Sequence, residues 1–122
     1  MKPMIYIVED DRDVRESLRL LLEVNDYSVE DFGSGMDLLA FGEPSKASCI
    51  IMDVNLPGES GLKTFERLLS QSVATPVLIV SGRADERVRL EAQRLNAAGF
   101  LEKPILGQVL LDTIKSIQTP RQ

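Results

Sequence analysis

Several charged or hydroxyl side chains in this sequence directly follow short apolar runs, where buried strands would end. They are Glu9, Asp10, Asp53, Ser81 and Lys103. Carboxylates brought together repel, by about 4 kcal/mol for two charges 4 Å apart at an effective dielectric near 20. Such a cluster raises a carboxyl pKa or binds a cation. Because the sequence has no histidine and one cysteine within an apolar run, oxygen ligands favour Mg²⁺, with Mn²⁺ as its substitute.

A cation and an ammonium group beside Asp53 would form an electropositive pocket for a phosphoryl group, whose transfer depends on charge neutralisation and in-line positioning. Asp53 would be the nucleophile and become an aspartyl phosphate, while Ser81 and Lys103 contact phosphoryl oxygens. Each residue alone has a plainer interpretation: Asp53 and Ser81 as helix caps, the early acids as charges at a helix N-terminus, and Lys103 as a solvated loop residue. Their occurrence at four separate strand ends favours the site.

Five segments predict the strands that must position these residues. They are Met4–Val8, Val29–Phe32, Cys49–Asp53, Val77–Val80 and Phe100–Glu102. The second is mixed in polarity and the fifth is short, which suits the edges of a sheet. Alternation with helices predicts one doubly wound (βα)5 domain, flavodoxin-like, with a parallel sheet in the order 2-1-3-4-5. The carboxyl ends of all strands then meet at one edge.

Helical periodicity and capping residues predict five helices between and after the strands. They are Asp13–Val24, a short helix capped by Ser34 and ending at Phe41, a helix capped by Ser60 with the apolar stripe Leu62, Phe65 and Leu69, the helix Asp85–Ala97 closed by Gly99, and a last helix with the stripe Leu106 to Ile117.

Composition limits the classes of function. Hydrophobic residues make up 43% of 122 residues, which predicts one globular domain over residues 1–118 with 119–122 as a tail or the start of a linker. The net charge of −5 disfavours direct binding of nucleic acid or membranes. No apolar run approaches 18 residues and no signal peptide is seen. With Cys49 as a core thiol, these features predict a cytoplasmic protein.

Four stretches in this order and spacing resemble response-regulator receiver domains of bacterial two-component systems, over roughly residues 4–118. They are Val8–Asp11, Met52–Gly58, Val80–Gly82 and Ala98–Pro104. The resemblance implies that Asp53 accepts a phosphoryl group from a histidine kinase or phosphotransfer protein. It implies that Mg²⁺ is bound by Asp10, Asp53, the backbone carbonyl of Asn55 and, through water, Glu9. It assigns Ser81 and Lys103 to the phosphoryl group and makes Lys103–Pro104 a cis peptide.

The same resemblance implies a switch rather than an enzyme, with intrinsic self-phosphorylation and dephosphorylation chemistry. Ser81 moves toward the phosphoryl group, the loop 82–84 follows, and Phe100 fills the vacated space, although Phe100 is also compatible with a core residue. The surface formed by the fourth helix, fifth strand and last helix then binds a partner, often a second copy. A C-terminal DNA-binding output domain, outside this chain, would make the response transcriptional. Glu9 and Ser81 stand where the family often has Asp and Thr, and both keep the functional group.

Two other classes of function compete with this interpretation. A haloacid-dehalogenase-like phosphatase also uses Asp, Lys and Mg²⁺, but it has a second Asp two residues after the nucleophile, where this chain has Asn55, and a cap domain that is not seen here. A flavodoxin has a first loop rich in Ser, Thr and Gly for the FMN phosphate. Here that loop is Glu9-Asp10-Asp11, which would repel phosphate.

Overall fold

The strands and helices alternate in a computed structural model, which describes residues 1–82 and 86–118. The strands are β1 Met4–Val8, β2 Ser28–Phe32, β3 Cys49–Asp53, β4 Val77–Ser81 and β5 Gly99–Glu102. The helices are α1 Arg12–Val24, α2 Gly35–Phe41, α3 Gly61–Ser70, α4 Glu86–Arg94 and α5 Gly107–Gln118. A short 3₁₀ turn, Pro44–Lys46, lies before β3 in the segment predicted as a loop.

The five strands form one parallel sheet in the order β2-β1-β3-β4-β5, which confirms the predicted topology. Ile5 of β1 pairs with Val29 on one side and with Cys49 on the other, and Asp53 pairs with Val80. Every residue of β3 and β4 is buried. Strands covered on both faces are apolar along most of their length, which is why these two segments lack the alternation of a half-exposed strand.

The sheet separates two hydrophobic cores because successive side chains of a strand point to opposite faces. On one face, Tyr6, Val8, Ile50, Met52 and Ile79 pack with residues of α2, α3 and α4, namely Leu38, Phe65, Leu68 and Ala92. On the other face, Ile5, Ile7, Cys49, Ile51 and Leu78 pack with residues of α1 and α5, namely Leu18, Leu22, Leu110 and Ile114. Helices therefore cover both faces, as a doubly wound fold requires.

Side-chain caps explain where three helices begin. Ser34 accepts from the backbone N–H of Asp37, and Ser60 accepts from that of Lys63, so both predicted caps are confirmed. Asp11 accepts from the backbone N–H groups of Asp13 and of Val14, and α1 therefore begins at Arg12, one residue before its predicted start.

The predicted end of the fourth helix at Ala97, closed by Gly99, was wrong. The helix ends at Arg94, and Asn96 adopts the left-handed conformation with φ of 60°. The backbone N–H of Ala97 then donates to the carbonyl of Ala92 at 2.9 Å, which closes the helix as glycine commonly does. Asn can take this role because its short polar side chain tolerates a positive φ. The predicted start, Asp85, lies outside the described residues.

Gly99 is instead part of β5, where an added side chain would require a shift of the buried Leu78 side chain. A Cβ there would lie 2.9 Å from Cδ1 of Leu78, its partner in β4.

Cys49 is fully buried, which confirms the predicted core thiol, and burial raises its pKa to about 12. Within residues 1–82 and 86–118, no helix has both the length and the apolar character needed to cross a bilayer.

Candidate functional site

The site lies at the carboxyl edge of the sheet, where β1 and β3 are neighbours but continue into helices on opposite faces. Open α/β sheets bind their ligands at such a switch point. Glu9 follows β1 and Asp53 ends β3, and each side chain is almost fully buried. Asp10 is exposed beside them. Two buried carboxylates require compensation by a cation or by protonation.

Lys103 supplies one compensating charge. Its Nζ donates to Oε1 of Glu9 at 2.6 Å and to Oδ2 of Asp53 at 2.7 Å. Burial lowers the pKa of Lys103, but the hydrogen bonds and charges of Asp53 and Glu9 outweigh it and raise that pKa above its ordinary value. The peptide bond between Lys103 and Pro104 is cis. One ammonium group thus joins the ends of β1 and β3 to the segment after β5.

Three carboxylates at this edge are close enough to share a cation. One oxygen each from Glu9, Asp10 and Asp53 lie within 4.8 Å of one another. Burial, followed by the neighbouring Asp53, raises the pKa of Glu9 to about 7, although Lys103 and the backbone N–H of Asp11 act in the opposite direction. One ammonium therefore leaves the cluster undercompensated, and an all-oxygen donor set of this kind fits Mg²⁺.

The position of Asn55 is fixed through Asp53. Its backbone N–H donates to Oδ1 of Asp53 at 3.0 Å, while Oδ2 accepts from Lys103, so both carboxylate oxygens have a donor. The carboxylate is held in one orientation by these two contacts. The assignment of the Asn55 carbonyl as a metal ligand stays a prediction.

Ser81 is buried at the end of β4, one residue beyond the strand partner of Asp53. Its backbone carbonyl accepts from the backbone N–H of Lys103 at 2.8 Å. Ser81 is thus joined through the main chain to the residue whose side chain contacts Asp53. The structure places this hydroxyl-bearing residue at the same sheet edge, and its role toward a phosphoryl group stays a prediction.

Phe100 lies in β5 and packs against the core on the α2–α3–α4 face, but it is only half-buried. It lines a pocket of about 460 Å³ between α4 and β5, together with Arg89 and Gln93. Phe100 is therefore neither a fully enclosed core residue nor an exposed one, and it has adjacent space. Of the predicted moving loop 82–84, only Gly82 lies within the described residues.

The sequence reasoning missed two residues that support this edge. Arg15 of α1 donates from Nη1 to the backbone carbonyl of Glu9 at 2.8 Å. Gly61 begins α3, and a Cβ at this residue would lie 2.0 Å from the carbonyl oxygen of Asp53. For Arg15, the only signal in the sequence was its charge opposite to that of Asp31. For Gly61, the sequence contained no signal.

Comparison with known proteins agrees with this geometry. The family model of the response regulator receiver domain matches residues 5–115. The chain belongs to this family. The receiver domain is 34% identical over 112 residues to the transcriptional regulatory protein FixJ of Azorhizobium caulinodans. That match covers 92% of this chain and 53% of FixJ, so the chain spans about half the length of this relative.

Solved structures similar to this receiver domain include other members of the family. The response regulator StyR superposes with a TM-score of 0.87 and 34% identity, covering 95% of this chain and 59% of StyR. The non-phosphorylated HemR receiver domain from Leptospira biflexa has a TM-score of 0.90 and 26% identity, covering 99% of this chain and 98% of that one. These similarities confirm the fold and the family that the sequence motifs indicated.

Proposed function

We propose that this receiver domain is a signalling switch in which Asp53 accepts a phosphoryl group in a Mg²⁺-dependent reaction. The observation that carries the proposal is the double contact of Lys103 with Glu9 and Asp53. This contact holds the acceptor carboxylate of Asp53 beside the ammonium group of Lys103. The carboxylate oxygens of the cluster could in addition bind a metal cation. Phosphoryl transfer needs little from a protein beyond such positioning and charge neutralisation.

In the proposed reaction a carboxylate oxygen of Asp53 attacks the phosphorus of a phosphohistidine on a partner kinase or phosphotransfer protein. A P–O bond forms to Asp53, the P–N bond breaks, and the electron pair of that bond stays on the imidazole nitrogen. Lys103 is in place to pair with an oxygen of the transferred group, and Ser81 would donate a hydrogen bond to another. Mg²⁺, held by Glu9, Asp10, Asp53 and the carbonyl of Asn55, would neutralise charge that develops on the phosphoryl oxygens.

The proposed output is a change in the surface formed by α4, β5 and α5, transmitted through Ser81 and Phe100. A phosphoryl group adds up to about two negative charges at the end of β3. Ser81 would move toward it, and the pocket beside Phe100 offers space for the ring to change position. That surface then binds a second copy of the chain, and through an output domain it controls transcription in the cytoplasm. The names of FixJ and similar relatives, transcriptional regulatory proteins, support this output.

The proposal is a switch and not an enzyme with multiple turnover. It is tested by incubating the protein with acetyl phosphate and Mg²⁺ and measuring phosphoryl incorporation by intact mass. We expect one base-labile phosphoryl group on the wild type, and none on Asp53→Asn or when EDTA removes Mg²⁺. Asp13→Asn, at an exposed carboxylate outside the cluster, is the matched control and should be labelled like the wild type. Undiminished labelling of Asp53→Asn would refute the proposal.

A further inference from the structure

Arg15 connects the loop of residues 9–11, between β1 and α1, to the edge strand β2. Its Nη1 donates to the backbone carbonyl of Glu9 at 2.8 Å, and its Nε lies 3.3 Å from Oδ1 of Asp31 in β2. The Arg15 side chain is only 20% exposed and that of Asp31 only 24%, so both contacts are partly shielded from solvent. A planar guanidinium can make such contacts in two directions at once, whereas an ammonium group cannot match that geometry.

The contacted carbonyl belongs to the peptide unit that joins Glu9 to Asp10. Only residues 9–11 separate β1 from α1, and the backbone N–H of Glu9 is already bonded to the carbonyl of Phe32 at 3.0 Å. The Glu9–Asp10 peptide unit is the next one in this loop, and the contact of Arg15 with its carbonyl limits its rotation. Because that unit precedes the Asp10 side chain, its orientation determines where the Asp10 carboxylate lies relative to Glu9 and Asp53.

We propose that Arg15 is a positioning residue for the cation site, which fixes the Glu9–Asp10 peptide unit so that the three carboxylates converge before a cation binds. This inference rests on the proposed function, since it concerns the same Mg²⁺. Groups that orient metal ligands without touching the metal commonly contribute tenfold or more to affinity. No contact described for Arg15 reaches a carboxylate oxygen of Glu9, Asp10 or Asp53, so we infer that it acts through the main chain.

The chain contains a matched control in Arg19, one helical turn further along α1. Arg19 also pairs with Asp31, through Nη1 and Oδ2 at 2.7 Å, and lies 3.4 Å from a carboxylate oxygen of Glu23. No hydrogen bond described for Arg19 reaches the loop between β1 and α1. Removal of Arg19 therefore reproduces the loss of a cation beside Asp31 but leaves the support of the Glu9 carbonyl intact.

The test measures the Kd for Mg²⁺ by isothermal titration calorimetry and the free energy of unfolding by urea in EDTA. We expect Arg15→Ala to weaken Mg²⁺ binding about tenfold, and Arg19→Ala to change it less than about twofold. Both variants should lose small amounts of stability, because each loses a partly exposed ion pair, and Arg15→Ala also loses the hydrogen bond to the Glu9 carbonyl. Arg15→Lys, which keeps the charge but not the fork of donors, should weaken binding about threefold.

The outcomes separate this inference from the proposed function. A wild type that binds no Mg²⁺ contradicts the proposed function. A wild type that binds Mg²⁺ while Arg15→Ala and Arg19→Ala have equal affinities contradicts only the positioning role. If Arg15→Ala does not fold, Arg15→Lys decides: an affinity equal to or tighter than that of Arg19→Ala overturns the inference, and a weaker affinity supports it.

Discussion

At the scale of single residues, the site depends on how three charged groups share one small volume. Two buried carboxylates, Glu9 and Asp53, accept from the same ammonium group of Lys103. The two buried carboxylates repel one another. Burial, followed by the neighbouring Asp53, raises the pKa of Glu9 to about 7. A bound proton or a bound divalent cation would each reduce this repulsion in a different way.

The first residue-scale prediction follows from Glu9. Its pKa is about 7 in the folded protein against an ordinary 4.5, so the folded state binds the proton more tightly than the unfolded state does. That stabilisation is complete below about pH 4.5 and is lost as the pH rises through about 7. We expect the metal-free wild type to lose on the order of 1 to 3 kcal/mol of unfolding free energy, relative to Glu9→Gln, between about pH 5 and pH 8.

Urea unfolding at a series of pH values in EDTA checks this expectation. Glu16→Gln is the control, since Glu16 is exposed and pairs with Arg12 one turn away on α1. The unfolding free energy of Glu16→Gln should run parallel to that of the wild type across the pH range. The difference in unfolding free energy between Glu9→Gln and the wild type should instead change as the pH rises through about 7, where Glu9 of the folded wild type loses its proton. Parallel curves for wild type and Glu9→Gln would show that Glu9 does not titrate in this window.

At the scale of elements, the close packing of the start of α3 against the end of β3 is as important for the site as the side chains are. The backbone N–H of Gly61 donates to the carbonyl of Val54 at 2.9 Å, and this draws the start of α3 against the end of β3. A Cβ at Gly61 would lie 2.0 Å from the carbonyl oxygen of Asp53, and backbone atoms cannot move aside as a flexible side chain can. Glycine is therefore required by close approach, since no positive φ is recorded at this residue.

Replacement of this glycine gives the element-scale prediction. Gly61→Ala should lower the free energy of unfolding by about 2 to 4 kcal/mol, because the helix must move away from Asp53 or strain the backbone. Phosphoryl incorporation by the remaining folded protein should fall as well, since Asp53 is displaced. Urea unfolding and intact mass after acetyl phosphate provide the two measurements.

Gly107→Ala is the matched control for this substitution. A Cβ at Gly107, the first residue of α5, would lie 3.4 Å from the Leu21 side chain, which is near an ordinary contact with a group that can adjust. Its stability should stay within about 0.5 kcal/mol of the wild type or rise, because alanine favours the helix over glycine. Equal effects of the two substitutions would contradict the explanation by close approach.

At the scale of the whole molecule, the predicted response concerns the α4–β5–α5 surface. Leu106 is 67% exposed and, with Val109 of α5, borders a pocket that includes Leu101 and Glu102 of β5. Large apolar side chains in such a position suit an interface that forms only in one state of the domain. The match covers 53% of FixJ, and self-association is the proposed response that can be tested on this domain alone.

The whole-molecule prediction concerns this self-association. With Mg²⁺ and beryllofluoride as a phosphoryl mimic, the wild type should dimerise, and Leu106→Ser should raise the dimer Kd about tenfold. Size exclusion with light scattering over a range of concentrations gives the mass. Leu20→Ser is the control because Leu20 is 63% exposed on α1, outside the proposed surface, and it should dimerise like the wild type. Equal weakening by both variants, or a monomeric wild type at every concentration, would overturn the assignment of this surface.

The sequence by itself determined the fold and indicated that Glu9, Asp10, Asp53 and Lys103 meet at one edge of the sheet. Apolar β3 and β4 and mixed β2 indicated which strands lie inside the sheet, and parallel order then placed the ends of the strands on one edge. Local capping signals such as Ser34 and Ser60 marked helix starts correctly, since a cap involves residues only three apart. The end of α4 was misjudged because Asn96 and Gly99 are both residues that can end a helix.

Only the tertiary structure decided the contacts that prepare the site. Lys103 and Glu9 are separated by 94 positions, and their 2.6 Å contact depends on how β5 and β1 are held by the strands between them. The bond of Arg15 to the Glu9 carbonyl and the approach of Gly61 to Asp53 involve main-chain oxygens, which are the same in every sequence. A pattern of side-chain types reports which groups can meet, whereas packing alone determines which backbone atoms they reach.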